Sequence, residues 1–291
     1  MASELVRELV DSGIHFGHRV SRWNPKMSPY IFGKRNMIHV IDIRETVKGL
    51  IRAKKYIART VAENGDVLFV GTKRQARHAV ESYARHAGMP YVAERWLGGT
   101  LTNFETIRSR LARLELLERE EADGTLLQYS KKRIARDNRE RRKIKRNLDG
   151  IRNMTRLPKA LVVIDVHREH IAVKEAKKLG IPTICLIDTD SDPDFADIPI
   201  PGNDDSMRSI EVVLRHMAAA VESGKRGRAD ASHEEGPDAA RRRRARRTAP
   251  TRTETEPEPA GVAADPTPPD RPEPPAAPTG STESGDAAPP A

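Results

Sequence analysis

Residues 67–71 (VLFVG) are the sequence feature that most restricts the fold. The run is continuously apolar up to Gly71 and too short for a helix, so it predicts a strand that is buried on both faces. Two later apolar runs, 160–164 and 183–187, are each joined to a segment with helical spacing. Strands that alternate with helices predict an α/β fold with a parallel sheet, in which 67–71 is the first strand.

The turn after this strand contains Thr72, Lys73 and Arg74, which we expect to open a helix that ends at Gly88. Open α/β folds bind ligands at the carboxyl edge of the sheet, and a helix N-terminus favours anions. The turn is neither a Walker loop nor a dinucleotide fingerprint. It favours the phosphate of a large polyanion over a nucleotide, although two solvated surface cations would give the same pattern.

The net charge of the 291-residue chain is +9, which indicates a polyanionic partner such as nucleic acid or an acidic membrane surface. Cys185 is the single cysteine, so no intrachain disulfide is possible and a reducing compartment is expected. The first residues lack the basic region of a secretory signal, and no apolar run is long enough to span a bilayer. We therefore expect a cytoplasmic protein with no membrane partner.

Two N-terminal segments mix basic with aromatic residues. One is the loop 14–27, and the other is a predicted β-hairpin, 30–33 with 37–41, whose turn would be basic. Rings that stack on bases and cations that meet phosphates are typical of RNA-binding surfaces. His15 and His18 are the alternative, a zinc pair, but no cysteine or second histidine pair lies at finger spacing. The candidate RNA contacts here are Arg19, Trp23, Lys26, Lys34 and Arg35.

The segment 95–103 (RWLGGTLTN) has paired glycines, which suit a tight turn. Arg95 is a further candidate for RNA contact. Trp96 could stack on a base, but its position beside Leu97 favours the core.

Residues 103–151 are predicted to form an inserted coiled-coil hairpin of two helices. The first carries leucine and isoleucine at steps of three and four residues and ends near Gly124, and the return helix covers 130–148. The return helix has ten lysines and arginines but only Asp137 and Glu140 to oppose them. This excess favours RNA phosphate or an acidic protein, and a solvated face is the alternative. The candidate contacts are Lys131, Lys132, Arg136, Arg139, Arg142 and Lys143.

Aspartates alternate from Asp188 to Asp194, as in a calcium loop. Prolines stand where an EF-hand needs its glycine and its glutamate, so that site is excluded. Asp188, Asp204 and Asp205 could still hold magnesium at the sheet edge, although aspartate is also common in turns and helix caps. An enzyme that transfers phosphoryl groups through Asp165 and these residues is the alternative function. It lacks a phosphate loop, a nucleophile elbow and a nucleophile–base pair, so we predict no catalytic residues and no other cofactor.

Several blocks together are specific for one family. They are 13–18 (GIHFGH), 23–27 (WNPKM), 69–74 (FVGTKR), 95–99 (RWLGG) with 101–103 (LTN), and 203–205 (NDD). Over residues 1–225 the chain resembles the bacterial small-subunit ribosomal protein S2 family. The resemblance implies a flavodoxin-like parallel sheet with helices on both faces and an inserted coiled-coil hairpin. The implied division is an α/β domain of 1–102 and 152–224, the hairpin 103–151, and a tail.

The resemblance also implies a structural, non-enzymatic role on the small ribosomal subunit. The family sits between head and body, binds ribosomal RNA beside neighbouring ribosomal proteins, and helps anchor the large messenger-binding protein S1. It does not act as a homo-oligomer. By matching position, the implied RNA contacts are Arg19, Trp23, Lys26, Lys73, Arg74 and the hairpin cations. An RNA-binding regulator that acts off the ribosome would use the same cations.

The tail, 225–291, is predicted to be disordered. It contains no Phe, Trp, Tyr, Leu, Ile or Met, so it cannot bury enough apolar surface to offset the entropy lost on ordering. Its basic run, 241–247, is expected to add a weak, salt-sensitive attraction to nearby RNA.

Overall fold

The computed structural model describes residues 2–234, with side chains for 4–125 and 128–229. The chain begins with helix α1 (Ala2–Asp11) and an antiparallel sheet of β1 (Phe16–Arg19), β2 (Ile31–Arg35) and β3 (Ile38–Ile41), in the order β1-β3-β2. Helix α2 (Ile43–Ala62) follows. Asp42 caps it, because its side chain accepts a hydrogen bond of 2.8 Å from the backbone N–H of Arg44.

The hairpin of β2 and β3 is present, but the predicted position of its turn is wrong. The turn is made by Asn36 and Met37, whose φ angles are 50° and 61°. Two consecutive residues with positive φ are characteristic of the type I′ turn, whose twist matches that of the flanking strands. Lys34 and Arg35 are therefore exposed residues at the end of β2 and not turn residues.

Five parallel strands form the central sheet, in the order β5-β4-β6-β7-β8. The strands are β4 (Val67–Val70), β5 (Tyr91–Val92), β6 (Ala160–Ile164), β7 (Thr183–Ile187) and β8 (Ile198–Pro201). The predicted α/β class is confirmed, and the order is that of flavodoxin-like folds. Strand β8 was not predicted. Its two prolines lack N–H groups, which an edge strand tolerates because it pairs on one side only.

Helices cover both faces of this sheet. The five that follow α2 are α3 (Arg77–Ala87), α4 (Phe104–Ala122), α5 (Lys131–Leu148), α6 (His170–Lys178) and α7 (Met207–Glu234). On one face, α1, α2, α3 and α7 enclose a core that contains Phe69 and Ile184. On the other face, α6 and the ends of α4 and α5 nearest the sheet pack on Leu68 and Val163. Among the described helices, none combines the length and the apolar character that a membrane span requires.

Helix α3 starts later than predicted, at Arg77 and not at residues 72–74. The N–H and the hydroxyl of Thr72 both donate to Oε1 of Glu169, at 2.9 and 2.5 Å, and residues 73–76 form a turn. The contact with Glu169 fixes Thr72 outside the helix. The predicted end is correct, since Gly88 adopts the left-handed conformation (φ 59°) that closes a helix.

Helices α4 and α5 lie between β5 and β6 in the chain, as predicted, and contact each other. Asn103 precedes α4, and Gly124 (φ 69°) lies in the turn after it. Supercoiling of the pair and the division of the chain at 103–151 stay predictions.

The predicted start of disorder at 225 is wrong, because α7 continues to Glu234. Beyond residue 224, two polar contacts join this helix to the rest of the fold. Nζ of Lys225 donates to the carbonyl of Ala87 at 2.6 Å, and Nη1 of Arg228 donates to Oδ1 of Asn64 at 2.7 Å. Residues 235–291, with their basic run, lie outside the described residues.

Candidate nucleic-acid interface

The first predicted phosphate contact, Lys73, lies in the turn after β4 at the carboxyl edge of the sheet. Its Nζ is 2.7 Å from Oδ1 of Asp204, 2.6 Å from Oδ1 of Asp205 and 3.5 Å from Oδ2 of Asp165. Burial disfavours the charge of Lys73, but these carboxylates outweigh it and raise its pKa. The ammonium is therefore neutralised within the chain and is not free to meet a phosphate.

His18 belongs to the same edge. Its Nδ1 is 3.1 Å from Oδ2 of Asp188, and its Nε2 is 3.3 Å from Oδ2 of Asp205. The close contact with the Asp188 carboxylate raises the pKa of His18 to about 9 in spite of partial burial. Burial, followed by the nearby carboxylates of Asp165 and Asp188, raises the pKa of Asp204 to about 8.

This edge also contains the acidic residues predicted to hold magnesium. His18, Asp188 and Asp204 each offer a ligand atom, and these atoms lie within 4.8 Å of one another. Imidazole and carboxylate are donor types that bind divalent metals. At neutral pH, however, the raised pKa values of about 9 and about 8 keep His18 and Asp204 mainly protonated, whereas a metal ligand must be deprotonated. Of the three aspartates predicted to hold magnesium, Asp205 pairs with Lys73 instead. The third member of the set is His18, which the pattern of aspartates did not predict. His15 is not part of the set, and its ring lies 4.1 Å from that of Phe16.

Lys26 is the second predicted RNA contact whose charge is neutralised within the chain. Its partners are two of the alternating aspartates. Its Nζ is 2.8 Å from Oδ2 of Asp192 and 2.5 Å from Oδ2 of Asp194. The hydrogen bonds to these carboxylates raise the pKa of Lys26 to about 12. Two aspartates of the calcium-like pattern thus face a lysine of the N-terminal loop.

Glu175, a residue of α6, organises the segment 95–103. Its Oε1 accepts hydrogen bonds from Nε1 of Trp96 (3.1 Å) and the N–H of Gly99 (2.8 Å), and its Oε2 accepts from the N–H groups of Leu101 (3.0 Å) and Thr102 (3.1 Å). Burial alone would raise the pKa of Glu175, but these donors outweigh it and lower the pKa.

The prediction that Trp96 is a core residue is confirmed, since it is buried. Sequence reasoning missed Glu175, and the only signal that could have found it is its place on the same helix face as buried apolar residues. Glu169 accepts the hydrogen bonds of Thr72, where a foreign anion was expected. Glu175 plays the same part for the N–H groups of 99–102, for which the sequence predicted no ligand.

The remaining predicted cations of the body are exposed, and no described carboxylate pairs with them. Arg74 and Arg95 follow the neighbouring strands β4 and β5, so they lie on the same edge of the sheet. The ring of Trp23 lies 5.1 Å from that of His39 and is 37% exposed. The exposed cations of the body are Arg19, Lys34, Arg35, Arg74 and Arg95.

Helix α5 presents the largest group of exposed cations that were predicted as contacts. The Nε atoms of Arg139 and Arg142 donate to carbonyls one turn earlier in the helix, at 3.1 and 3.2 Å, which leaves their terminal nitrogens in solvent. The predicted contacts that are exposed on α5 are Lys131, Lys132, Arg136, Arg139, Arg142 and Lys143. This face is suited to bind a polyanion.

The N-terminal hairpin also carries exposed apolar residues. Phe32 is 80% exposed and Met37 is 71% exposed. A cavity of about 660 Å³ beside Phe32 is lined mainly by apolar residues, among them Val6, Val40 and Val47. Exposed apolar surface next to a cavity is typical of a site that another protein covers.

Comparison with known proteins identifies the family. A family model described as Ribosomal protein S2 matches residues 9–224. The chain belongs to this family. The small ribosomal subunit protein uS2 of Rhodopirellula baltica is 59% identical over 225 residues, which are 77% of this chain and 86% of the relative. The proteins of the same name from Lawsonia intracellularis and Mycobacterium ulcerans are 52% and 49% identical, over 77% and 81% of this chain and 77% and 86% of their own.

Proteins of this family are structural, non-enzymatic components of the ribosome. Because the chain belongs to the family, the prediction that it is not an enzyme is confirmed. The geometry agrees with this. The aspartates considered for phosphoryl transfer are engaged with Lys73 and His18.

Proposed function

We propose that the chain is a structural constituent of the small ribosomal subunit, acts in translation in the cytoplasm, and binds ribosomal RNA between the head and the body of the subunit. The observation that carries this proposal is the family match over residues 9–224. The exposed cations of α5 that were predicted as contacts support it, because no described carboxylate pairs with them apart from Asp137 with Arg136.

The proposed RNA surface follows from which predicted residues are exposed. Trp23 supplies a ring for stacking, and the cations supply phosphate contacts. Lys26 and Lys73 are assigned to the fold instead, since carboxylates of the chain hold both. The RNA contacts that we retain are Arg19, Trp23, Lys34, Arg35, Arg74, Arg95, Lys131, Lys132, Arg136, Arg139, Arg142 and Lys143.

We assign the apolar surface at Phe32 to a protein neighbour, the large messenger-binding protein S1. Phe32 and the cavity beside it offer the kind of mainly apolar patch that proteins cover on association. The chain enters the subunit as one copy, without a homo-oligomer.

Sucrose-gradient fractionation of a cell lysate tests the ribosomal role. The endogenous protein should sediment with the small subunit at moderate salt. If it remains at the top of the gradient but still binds RNA, it is an RNA-binding regulator that acts off the ribosome, and our proposal is wrong.

Removal of charge from α5 tests the RNA surface. The variant with Lys132, Arg136, Arg139 and Lys143 replaced by Gln should bind small-subunit ribosomal RNA more weakly, and its salt slope should fall by roughly 0.7–0.9 for each phosphate that the protein no longer neutralises. A control with the same charge change replaces the exposed Arg52, Lys55, Lys174 and Lys178 by Gln. Equally weakened binding in both variants would mean that only net charge matters and that α5 is not a specific contact.

A further inference from the structure

A buried carboxylate lies in the middle of the most basic helix. Asp137 of α5 lies next to Arg113 of α4 and is 2% exposed, whereas its chain neighbours Arg136 and Asn138 are exposed and half-buried, respectively. An uncompensated charge in such a place is strongly destabilising, so a buried carboxylate normally has close partners.

The partners of Asp137 are three guanidinium groups. Nε of Arg133 is 3.5 Å from its Oδ2, while Nε of Arg136 and Nη2 of Arg113 are 3.4 and 4.0 Å from its Oδ1. Arg133 and Arg136 are themselves 45% and 71% exposed. One buried anion therefore accepts a hydrogen bond from Nε of Arg136 and forms a longer ion pair with Nε of Arg133, and both arginines are otherwise exposed.

Tyr129 holds Arg133 from a second side. The guanidinium carbon of Arg133 is 3.6 Å from the centre of the Tyr129 ring, within the range of a cation–π contact. This contact lies just before α5, whose N-cap residue, Ser130, makes no side-chain capping bond.

Arg133 and Arg136 also line a cavity of about 320 Å³ at the start of α5. The described residues that line it are Ser130, Lys132, Arg133, Arg136 and Arg139. Four of these five residues are cations and the fifth is a hydroxyl donor, so no described carboxylate lines the cavity. The volume is sufficient for a phosphate group and its nearest oxygens.

The geometry points to a phosphate-binding pocket at the start of α5, in which Asp137 and Tyr129 hold Arg133 and Arg136 ready for one backbone phosphate of RNA. This inference deepens the proposed function and rests on it for the identity of the ligand. Asp137 is a positioning residue, since it touches the arginines and not the phosphate. It removes in advance part of the entropy that long side chains otherwise lose on binding.

The variant Asp137→Asn separates positioning from simple charge attraction. It raises the net charge by one, so long-range electrostatics alone would make RNA binding tighter. Positioning predicts the opposite, a loss of roughly threefold to tenfold in affinity for small-subunit ribosomal RNA, because one or two arginines must then be ordered on binding. Unchanged or tighter binding by a folded variant would overturn the pocket and leave the proposed function standing.

Two further variants make this result specific. Glu105→Gln has the same charge change on an exposed residue of α4 and should not weaken binding. Tyr129→Leu leaves both the charge and the buried carboxylate in place and should weaken binding as Asp137→Asn does. If circular dichroism shows that Asp137→Asn unfolds, Tyr129→Leu decides the matter, and its unchanged affinity would refute the proposal.

Inorganic phosphate tests the pocket without RNA. Titration into the full chain should shift the NMR signals of the Nε–H groups of Arg133 and Arg136, and these shifts should shrink in Asp137→Asn. If phosphate shifts these signals but the wild-type chain does not bind ribosomal RNA, the pocket stands and the proposed function fails. If phosphate shifts neither signal and Tyr129→Leu binds RNA normally, the pocket is refuted.

Discussion

The carboxyl edge of the sheet and helix α5 are both rich in basic residues, but the structure treats their charges in opposite ways. At the sheet edge, carboxylates of the chain enclose Lys73, and its side chain is 13% exposed. On α5, the predicted contacts are exposed, and a single buried carboxylate, Asp137, faces only the inner side of three arginines. Lys73 at the sheet edge therefore stabilises the fold, whereas the exposed lysines of α5 are available to a partner.

The comparison also shows that backbone N–H groups suited to bind an anion can be occupied by carboxylates of the same chain. A phosphate was expected at the N–H group of Thr72, and Glu169 occupies that place. Glu175 accepts the N–H groups around Gly99 in the same way. These carboxylates accept the hydrogen bonds that a bound anion would accept from the loops. The largest group of predicted cations that remain exposed is therefore on α5.

The largest expected effect is on Lys73. In Lys73→Met the carboxylates of Asp165 and Asp205 lose their counter-charge, and the mainly protonated Asp204 loses a hydrogen-bond partner. The free energy of unfolding should fall by about 3 kcal/mol. Urea unfolding at neutral pH measures this. Adding Asp165→Asn should restore part of the stability, and a change below about 1 kcal/mol would show that Lys73 behaves as a surface cation.

A smaller destabilisation is expected at Glu175. In Glu175→Gln one carboxylate oxygen becomes an amide NH₂ that faces backbone donors, so we expect about 2–3 kcal/mol of destabilisation. The fluorescence of Trp96 should change as its indole N–H loses a charged acceptor. Glu211→Gln, on the exposed face of α7, is the matched control. If both variants are equally stable, the segment 95–103 does not depend on this carboxylate.

His18 should make a pH-dependent contribution of about 2 kcal/mol to stability, reduced from the full effect of its pKa shift because the ring is partly solvated. The pKa of His18 is about 9 in the folded chain and about 6.5 when unfolded. Its protonated form therefore stabilises the fold fully below pH 6.5, and this contribution is lost as the pH rises through 9.

The stability difference between the wild type and His18→Gln should accordingly be largest at pH 6 and nearly absent at pH 9.5. Chemical denaturation at the two pH values measures it, with the exposed His170→Gln as control. A difference that stays constant across this range would contradict the ion pair with Asp188.

The smallest effect on stability is expected on α5. Lys143→Met makes the same chemical change as Lys73→Met, but the side chain is exposed and unpaired among the described residues, so stability should change by less than about 0.5 kcal/mol. The salt slope of RNA binding should fall by roughly 0.7–0.9 if the lysine meets a phosphate. A destabilisation as large as that of Lys73→Met would remove the contrast between the two regions.

Much of the fold follows from local pattern. The apolar runs of β4, β6 and β7 lie where the sequence predicts them, and Gly88 and Gly124 end their helices. Strand β8 was missed, because its alternating prolines argue against a strand unless its position at the edge is known. The start of α3 was misplaced because Glu169, 97 residues away from Thr72, decides it.

By itself, the sequence determined the α/β class, the excess of cations on α5 and the family, since each is written in neighbouring residues or in short blocks. Only the tertiary structure decided which cations are free. Lys26 and Lys73 meet carboxylates that lie 166 and 131 residues away in the chain, and Glu175 meets Trp96 across 79 residues. Coulomb interactions and hydrogen bonds depend on distance and burial in space, and the spacing of charges along a chain records neither.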